Sequence, residues 1–530
     1  MLKRRFVILV LLIAGPVFAA GLLAGCDGEH EIILVEEVEE AGELSGEGRY
    51  PAGEEVTVQA EPAEGWEFNG WKEDGEIVSQ EEDYTFEVHG DRQLTGTFDT
   101  KVSAGEVIQD HIENLQEIGP RPAGSKEEKE AVEYLAQVYE EMGYRGEGYS
   151  IEIQEFSVAD YGGPGELALS EVRVKDAERY YGNVEAELGG QTWTFKEPHG
   201  VEWQGTAAPG SLMDTRVDGR LYYCGAGTEE GDFPDEVEGE IALVDLTAGD
   251  TRGNPVENAI DAGAEALMAS TTGQVPLYFP YGEPVDIPVL AVSSVHGQWL
   301  MEMVEEEPVE IELEAYTNRE LESYNVVAIR EANSEDAPII TVTGHLDSVP
   351  GAPGANDNAS GTATLLKLAE TLQEVEADIE IRFANLGAEE VGLTGAQHYV
   401  GQLTEEERER HYNVNLDMVG TSAPDIDNLW IVTADGEENA VSKTLAKTGE
   451  DLGVDARFGG VGASDHAAFH DDGIPAVLLV WMGEEELELE PVYHTPLDTV
   501  EENISAGRLQ SVYEVTRQGI LNLASEKIGR

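Results

Sequence analysis

Three apolar segments in the C-terminal half of the chain are each followed by imidazole or carboxylate side chains. PIITVTGH ends on His345, IEIRFANLGAEE ends on Glu389 and Glu390, and YNVNLDMVG carries Asp417 near its end. Helical patterns such as GTATLLKLAETLQEV alternate with these segments, which predicts an α/β domain with a largely buried sheet. Because sites in such sheets form beyond the carboxyl ends of the strands, we expect these side chains to meet there.

Two further segments supply donor groups of the same kind. The loop HLDSVPGAPGANDNASG contains Asp347 and Asp357, and the segment YHTPLDT contains His494. Nitrogen and oxygen donors of this type are ligands that zinc accepts. Five donors are too many for one closed tetrahedral site and suit two zinc ions about 3.5–4 Å apart with one bridging carboxylate. The five candidate ligands are His345, Asp357, Glu390, Asp417 and His494.

Five motifs in this half of the chain follow an order that is typical of one family. They are GHLDSVPGAPGANDNASG, GAEEVGLTGA, LDMVG, GASDHAAFHDDGIPAVLL and YHTPLDT. In this order they resemble the co-catalytic zinc aminopeptidases, whose family also includes the glutamate carboxypeptidases. The resemblance extends over roughly residues 109–520. It implies the zinc exopeptidase fold, in which helices flank a mixed, mostly parallel sheet.

The resemblance also implies a division of the ligands between two zinc ions. Asp357 would bridge both ions, and His345 and Asp417 would complete the coordination of one. Glu390 and His494 would complete the coordination of the other.

The same resemblance implies roles for residues that do not bind the metal. Glu389 would act as the general base, and Asp347 suits an acceptor that orients the imidazole of His345. The usual oxyanion donor, a Tyr three residues before the SDH motif, is replaced here by Val461, so Tyr493 is the candidate donor. The family likeness further implies a cis peptide bond between Asp357 and Asn358.

The N-terminal half divides into two regions of different character. Residues 30–100 have alternating strand patterns and resemble the internalin-type B repeat, with Trp66, Phe68 and Trp71 as core residues or, alternatively, a ligand-binding stripe. Residues 161–318 contain short strands and turns and resemble a protease-associated domain. The catalytic domain is therefore expected over 104–160 and 319–530.

The first residues have the pattern of an export signal. Lys3, Arg4 and Arg5 precede an apolar run, and the sequence LAGC resembles a bacterial lipobox. We predict a lipoprotein signal at residues 1–25, lipidation of Cys26, and a location on the outer face of the cytoplasmic membrane or on the cell surface. Only Cys224 then remains, so the mature chain cannot form an intramolecular disulfide.

The charge of the chain restricts its partners. Asp and Glu number 108 against 31 Lys and Arg, for a net charge of −77. This field repels nucleic acid and anionic membrane surfaces and indicates a surface adapted to high salt, where self-repulsion is screened.

Together these features favour an exported, membrane-anchored metallo-exopeptidase acting on peptides, and an aminopeptidase in particular. A carboxypeptidase needs cations for the substrate carboxylate, and of the few basic residues between the motifs only Arg457 lies near one. A single-zinc glutaminyl cyclase relative and a surface binding protein with a vestigial peptidase domain remain as alternatives.

Ser464, Asp465 and His466 are expected in the wall of the site. Three histidines have no assigned role: His398, His411 and His470.

Overall fold

The computed structural model divides the chain into two compact units, Met1–Val102 and Ser103–Arg530. The predicted signal and Cys26 lie outside the described residues. None of the described helices is long and apolar enough to cross a bilayer. The structure describes residues 29–528 except 37–40, 64, 74–75, 163–166, 176–184, 189–190, 195–201, 208–212, 247–253, 271–284, 293, 307, 319–320, 335, 374, 376 and 484–487.

The N-terminal unit contains only strands among its described residues. Its strands are β1 (Glu29–Glu36), β2 (Gly42–Ser45), β3 (Gly48–Pro51), β4 (Glu55–Pro62), β5 (Trp66–Glu73), β6 (Glu76–Ser79), β7 (Asp83–Glu87) and β8 (Arg92–Thr100). They form one sheet of order β3-β1-β8-β5-β6 and another of order β2-β4-β7. Trp71 is fully buried and its ring contacts Phe68 at 5.3 Å, so these aromatic residues pack in the core of the unit.

The second unit opens with two helices and an edge strand. They are α1 (Ala104–Ile118), α2 (Lys126–Glu141) and β9 (Tyr149–Ser157). Ser103 and Ser125 cap the two helices by accepting backbone N–H groups of Glu106 and Glu128. The apolar residues of both helices recur at three- and four-residue steps, and their buried members belong to the main hydrophobic core of the unit.

The next region lies within the range predicted for the inserted domain. Its elements are β10 (Leu167–Val174), β11 (Glu185–Leu188), β12 (Gln191–Thr194), β13 (Glu202–Ala207), β14 (Thr215–Tyr223), β15 (Ile241–Asp245), α3 (Pro255–Asp261), β16 (Ala266–Ser270), β17 (Val289–Val292), α4 (Ser294–Glu306) and β18 (Val309–Asn318). Seven of these strands form a closed barrel of order β10-β13-β17-β16-β15-β14-β18. A separate hairpin pairs β11 with β12.

The rest of the chain alternates strands and helices, as the sequence predicts. The elements are β19 (Glu322–Arg330), β20 (Ile339–His345), α5 (Ser360–Thr371), β21 (Glu380–Leu386), α6 (Thr394–Gln402), α7 (Glu405–Glu409), β22 (His411–Leu416), β23 (Asn428–Thr433), α8 (Ala440–Leu452), β24 (Ala456–Val461), α9 (His466–Asp471), β25 (Ala476–Met482), α10 (Val500–Asn503) and α11 (Ala506–Ile528).

These strands and β9 form one eight-stranded sheet of order β24-β23-β25-β22-β20-β21-β19-β9. Its four central strands, β21, β20, β22 and β25, run parallel, while β19 and β23 run antiparallel to their neighbours β21 and β25. The predicted mixed α/β sheet is confirmed. Because the central strands are parallel, the loops that follow β20, β21 and β22 leave from the same edge of the sheet.

Candidate active site

His345 lies at this edge and faces two carboxylates. It is the last residue of β20, and its ring is buried. Its Nε2 lies 3.2 Å from Oδ1 of Asp357 and 3.4 Å from Oδ1 of Asp417, which directly follows β22. The segments that follow two different strands, β20 and β22, therefore each bring a carboxylate to the same imidazole.

Asp357 faces a second histidine with its other oxygen. Its Oδ2 lies 2.9 Å from Nε2 of His494, and the same nitrogen lies 3.2 Å from Oε2 of Glu390. Asp357 lies in the turn Ala355–Ala359 that precedes α5, and its φ of −110° and ψ of 91° are not helical. The peptide bond between Asp357 and Asn358 is cis, which confirms the prediction from the family motif. One carboxylate thus lies between two imidazoles.

The donor atoms are arranged as a metal site requires. Ligand atoms of His345, Glu389 and Asp417 all lie within 4.8 Å of one another, and so do those of His345, Asp357 and Glu390. Oδ1 of Asp417 and Oε1 of Glu390 are buried and have no hydrogen-bond partner among the described residues. Since buried carboxylate oxygens are normally satisfied, these oxygens fit ligands of a metal ion.

Comparison with known proteins agrees with this geometry. The model of peptidase family M28 matches residues 325–520, and the model of the divergent InlB B-repeat domain matches residues 35–102. The aminopeptidase YwaD of Bacillus subtilis is 34% identical to this chain over 417 residues, which are 77% of this chain and 82% of YwaD. The chain belongs to peptidase family M28. Its prediction as a metallopeptidase is confirmed.

Two further matches of this M28 peptidase extend the comparison. The solved structure of a zinc aminopeptidase from Bacillus subtilis has 31% sequence identity and a TM-score of 0.53, and the match covers 78% of this chain and 94% of that one. The probable lipoprotein aminopeptidase LpqL of Mycobacterium tuberculosis is 27% identical over 452 residues, which are 75% of this chain and 80% of LpqL.

Asp347 orders the segment that carries Glu389 and Glu390. Its two carboxylate oxygens accept the backbone N–H groups of Glu389 at 3.1 Å and of Glu390 at 3.2 Å. The sequence predicts Asp347 as the acceptor for His345. In the structure, Nδ1 of His345 lies 3.1 Å from the backbone carbonyl oxygen of Asp347 and 3.6 Å from the carboxylate of Asp347. Asp347 is therefore placed to hold two candidate metal ligands and the candidate base together.

The charges of the site act strongly on one another. Burial raises the pKa of Glu389 well above its ordinary value, with His345 opposing the shift and Glu390 adding to it. Burial alone would raise the pKa of Asp357, but hydrogen bonds from His345 and His494 hold it below its usual range. A cation among these groups would favour the ionised carboxylates.

Tyr493 lies against His494 and beside the carboxylates. The two rings stack with their centroids 3.7 Å apart. Burial, and then the negative charges of Asp357 and Glu390, raise the pKa of Tyr493, so its hydroxyl keeps the proton and remains a donor. The sequence predicts a donor at this position, and the ring lines the same cavity as the metal candidates.

The cavity beside these groups has a volume of about 130 Å³ and is lined by both polar and apolar side chains. The polar lining includes the carboxylates with His345, Tyr493 and Ser464. The apolar lining residues pack in one cluster, here called the apolar wall: Met418, Val432, Leu478, Val480, Met482 and Leu489. Of the predicted wall residues, Ser464 donates a hydrogen bond of 2.7 Å to Asp417, while Asp465 and His466 are buried.

The residues on either side of Asp357 connect it to other parts of the site, which the sequence analysis did not predict. Asn358 donates to the carbonyl of Leu416 at 2.9 Å and accepts the N–H of Met418, so it holds both sides of Asp417. Asn356 donates to Glu490 at 2.8 Å. The repeated Asn in the NDN segment was the available signal, since buried amides need partners.

Asp498 holds the same turn from the opposite side. Its carboxylate accepts the backbone N–H groups of Asn356 at 2.8 Å and of Asp357 at 2.9 Å, and the side chain of Asn503 at 2.8 Å. It follows His494 by four residues, within the motif YHTPLDT. The motif thus delivers both a candidate ligand and the group that fixes another candidate ligand.

The histidines without an assigned role do not line the cavity. Nδ1 of His398 lies 2.9 Å from the hydroxyl of Tyr161. Nε2 of His411 lies 2.6 Å from the hydroxyl of Thr341, at the start of β22. His470 is half-buried and 3.9 Å from Asp435. Each has neighbours that account for its position.

Proposed function

We propose that this M28 peptidase is a two-zinc aminopeptidase that is exported and anchored to the membrane through Cys26. The observation that carries the proposal is the position of Asp357, whose two oxygens lie 3.2 Å and 2.9 Å from the imidazoles of His345 and His494. A carboxylate between two imidazoles is the arrangement that a bridging ligand needs.

The remaining candidate ligands divide between the two ions. Asp417 and His345 would hold one zinc ion, and Glu390 and His494 would hold the other. When bound, zinc polarises the scissile carbonyl and makes water a stronger nucleophile at neutral pH. Asp347 and Asp498 keep the ligand segments in place through the backbone hydrogen bonds described above.

Glu389 and Tyr493 are the proposed catalytic residues. The carboxylate of Glu389 accepts a proton from the attacking water and transfers it to the leaving amine. The hydroxyl of Tyr493 donates a hydrogen bond to the carbonyl oxygen as negative charge develops there. Its retained proton and its stacking on His494 support this assignment.

The cavity supports cleavage from the amino end of a peptide. Its described lining contains acidic groups and neither Lys nor Arg, so it suits a cationic α-amino group and repels a terminal carboxylate. Arg457, the candidate cation of the carboxypeptidase alternative, pairs with Asp455 at 2.7 Å and does not belong to this lining. The apolar wall supports a preference for an apolar first residue.

The organisation of the chain and its location are also part of the proposal. Residues 161–318 form a protease-associated domain, residues 30–100 a β repeat without catalytic function, and residues 104–160 with 319–530 the catalytic domain. The similarity to a probable lipoprotein aminopeptidase supports export through the signal at residues 1–25 and lipidation at Cys26. The charge of −77 supports adaptation to high salt.

Digestion of matched peptides tests the activity. Each peptide is offered with a free amino terminus, with an acetylated amino terminus, and with an amidated carboxyl terminus, and products are identified by mass spectrometry. We expect stepwise loss of residues from free amino termini, with leucine released faster than glutamate, and two zinc ions per chain by elemental analysis. Cleavage of acetylated peptides from their carboxyl ends would contradict the assignment, and one zinc per chain would contradict the two-ion centre.

A further inference from the structure

Arg121 is a fully buried cation in the loop between α1 and α2. Its guanidinium donates hydrogen bonds to backbone carbonyls at both ends of the loop from Leu346 to Gly354, which follows β20. Nε bonds the carbonyl of Leu346 at 3.0 Å, Nη1 bonds that of Pro353 at 2.7 Å, and Nη2 bonds that of Gly354 at 3.2 Å. Nη1 also lies 3.1 Å from the carbonyl of Gly119, just after α1. The sequence analysis did not assign this residue a role.

The two ends of that loop lead to two candidate ligands. Leu346 directly follows His345, and Gly354 precedes Asp357 by three residues. The backbone N–H of Arg121 also donates to the hydroxyl of Ser348 at 2.9 Å, in the middle of the loop. One side chain therefore constrains the loop that sets the position of Asp357 relative to His345.

Close packing leaves this loop little freedom. Gly354 has a φ of +63°, and a Cβ there would lie 2.3 Å from the carbonyl oxygen of Asp357 and 3.2 Å from Nη2 of Arg121. Gly354 thus lies between the guanidinium and the turn that carries Asp357 and is in close contact with both. A movement of the guanidinium would be transmitted to the turn.

The charge of Arg121 is not used in a direct ion pair among the described residues. Burial lowers its pKa to about 10, while the negative charges of Asp347, Asp498 and Asp357 oppose that shift. It is therefore cationic at neutral pH, surrounded at longer range by carboxylates of the site. A lysine could carry the charge but cannot reach several carbonyls at once with a planar fork.

We propose that Arg121 is a positioning residue for the metal centre: by bonding both ends of the loop from Leu346 to Gly354, it holds His345 and Asp357 at the separation that metal binding needs. The proposal rests on the proposed zinc function. Outer partners of metal ligands typically contribute roughly 10–100-fold to metal affinity. Arg121 does not touch the substrate cavity, so its effect should appear in metal binding before it appears in catalysis.

Arg330 provides a matched control at the opposite end of the sheet. It too donates to several backbone carbonyls of one loop, those of Gln373 at 3.0 Å, of Ile379 at 2.8 Å and of Val375. Replacing either arginine by lysine removes a comparable set of bonds and keeps the charge. Only Arg121 holds a loop that ends at candidate ligands.

The test measures zinc affinity of the purified protein by competition with a chelating zinc indicator. We expect Arg121→Lys to weaken zinc binding at least tenfold, and Arg330→Lys to leave it within twofold of the parent. In saturating zinc, kcat and KM of Arg121→Lys should return to within about threefold of the parent. Zinc affinity that is unchanged in Arg121→Lys, or weakened equally in both variants, would overturn the proposal.

Arg121→Ala provides a second measurement if the lysine variant does not fold. It leaves a space the size of a guanidinium group, and added guanidinium ion should restore zinc affinity, whereas urea of the same shape but without charge should restore less. No recovery with either compound in a folded alanine variant overturns the proposal. A parent protein that binds no zinc would instead contradict the proposed metal centre, so the two failures can be told apart.

Discussion

The two ends of the eight-stranded sheet satisfy their polar groups in different ways. At the edge where the parallel central strands begin, Arg330 and Arg410 donate to carbonyls of the adjoining loops, and Arg382 pairs with Glu380 and Glu407 at 2.5 and 2.6 Å. At the carboxyl end, carboxylates and imidazoles face one another, and buried oxygens of Glu390 and Asp417 lack hydrogen-bond partners among the described residues.

This difference separates a structural end from a reactive end. Paired charges stabilise a loop and leave nothing available for a ligand. Buried carboxylate oxygens that accept no hydrogen bond are unfavourable unless a cation binds them, so these oxygens mark a place where a bound cation would supply the missing stabilisation. Non-glycine residues with a left-handed backbone also occur at this end: Ala388 precedes Glu389, Met418 follows Asp417, and His494 is itself a candidate ligand, with φ of 55°, 54° and 56°.

Removal of the metal should have the largest effect and should act at the reactive end alone. We expect a strong chelator to abolish peptide hydrolysis, because without zinc nothing polarises the scissile carbonyl or activates the water. Added zinc should restore the activity. Circular dichroism of the chelated protein should retain the native secondary structure. Full activity in a preparation shown by elemental analysis to contain no metal would contradict the metal centre.

Replacement of Glu389 should have the next largest effect. Glu389→Gln keeps the size of the side chain and removes its ability to accept a proton, so kcat should fall by roughly 10²–10⁴-fold with zinc content unchanged. The matched control is Glu380→Gln, at the structural end, where we expect nearly parental kcat. A Glu389→Gln variant with parental turnover would assign the base to another group.

Removal of the Tyr493 hydroxyl should have a smaller effect at the same end. A lost oxyanion donor costs about 10²–10³-fold elsewhere, and the metal would share this work here, so we expect Tyr493→Phe to lower kcat at least tenfold. KM and zinc content should change little because the ring still stacks on His494. Unchanged steady-state turnover would show that another group stabilises the oxyanion.

The pH dependence of stability tests the role of His411, the first residue of β22, at the structural end of the sheet. Burial lowers its pKa to about 3, so the folded state excludes a proton that the unfolded chain binds below about pH 6.5. Stability should therefore fall as pH falls below that value, by up to about 1.4 kcal/mol per pH unit from this residue. Urea unfolding at pH 7 and pH 5 should show a shallower pH dependence in His411→Gln than in the parent. An equal dependence in both would exclude His411 as a source.

Salt should act on the surface and hence on both ends alike. At a net charge of −77, repulsion opposes the compact state, and the Debye length falls from about 30 Å at 0.01 M to about 3 Å at 1 M. We expect the melting temperature to rise by several degrees between these ionic strengths in saturating zinc. An uncharged osmolyte at matched osmolarity is the control, and an unchanged melting temperature in salt would contradict the high-salt interpretation.

The sequence by itself determined the alternation of strands and helices and the edge at which the donors gather. The apolar runs ending at His345 and Asp417 have a local pattern that does not depend on the rest of the chain. Parallel strands then place their carboxyl ends at one edge, so the presence of donors there follows from the order of elements. The same local reasoning predicted that aromatic residues of the β repeat pack in its core.

The tertiary structure alone decided which distant groups hold these donors in position. Asn358 bonds Leu416, Asp498 bonds the turn of Asp357, and Arg121 bonds Leu346 across 225 positions of the chain. Such bonds depend on how the loops pack on one another and on backbone conformations that no hydrophobic period records. Periodicity reports which side of an element is buried, whereas the partner of a buried polar group is set by long-range packing.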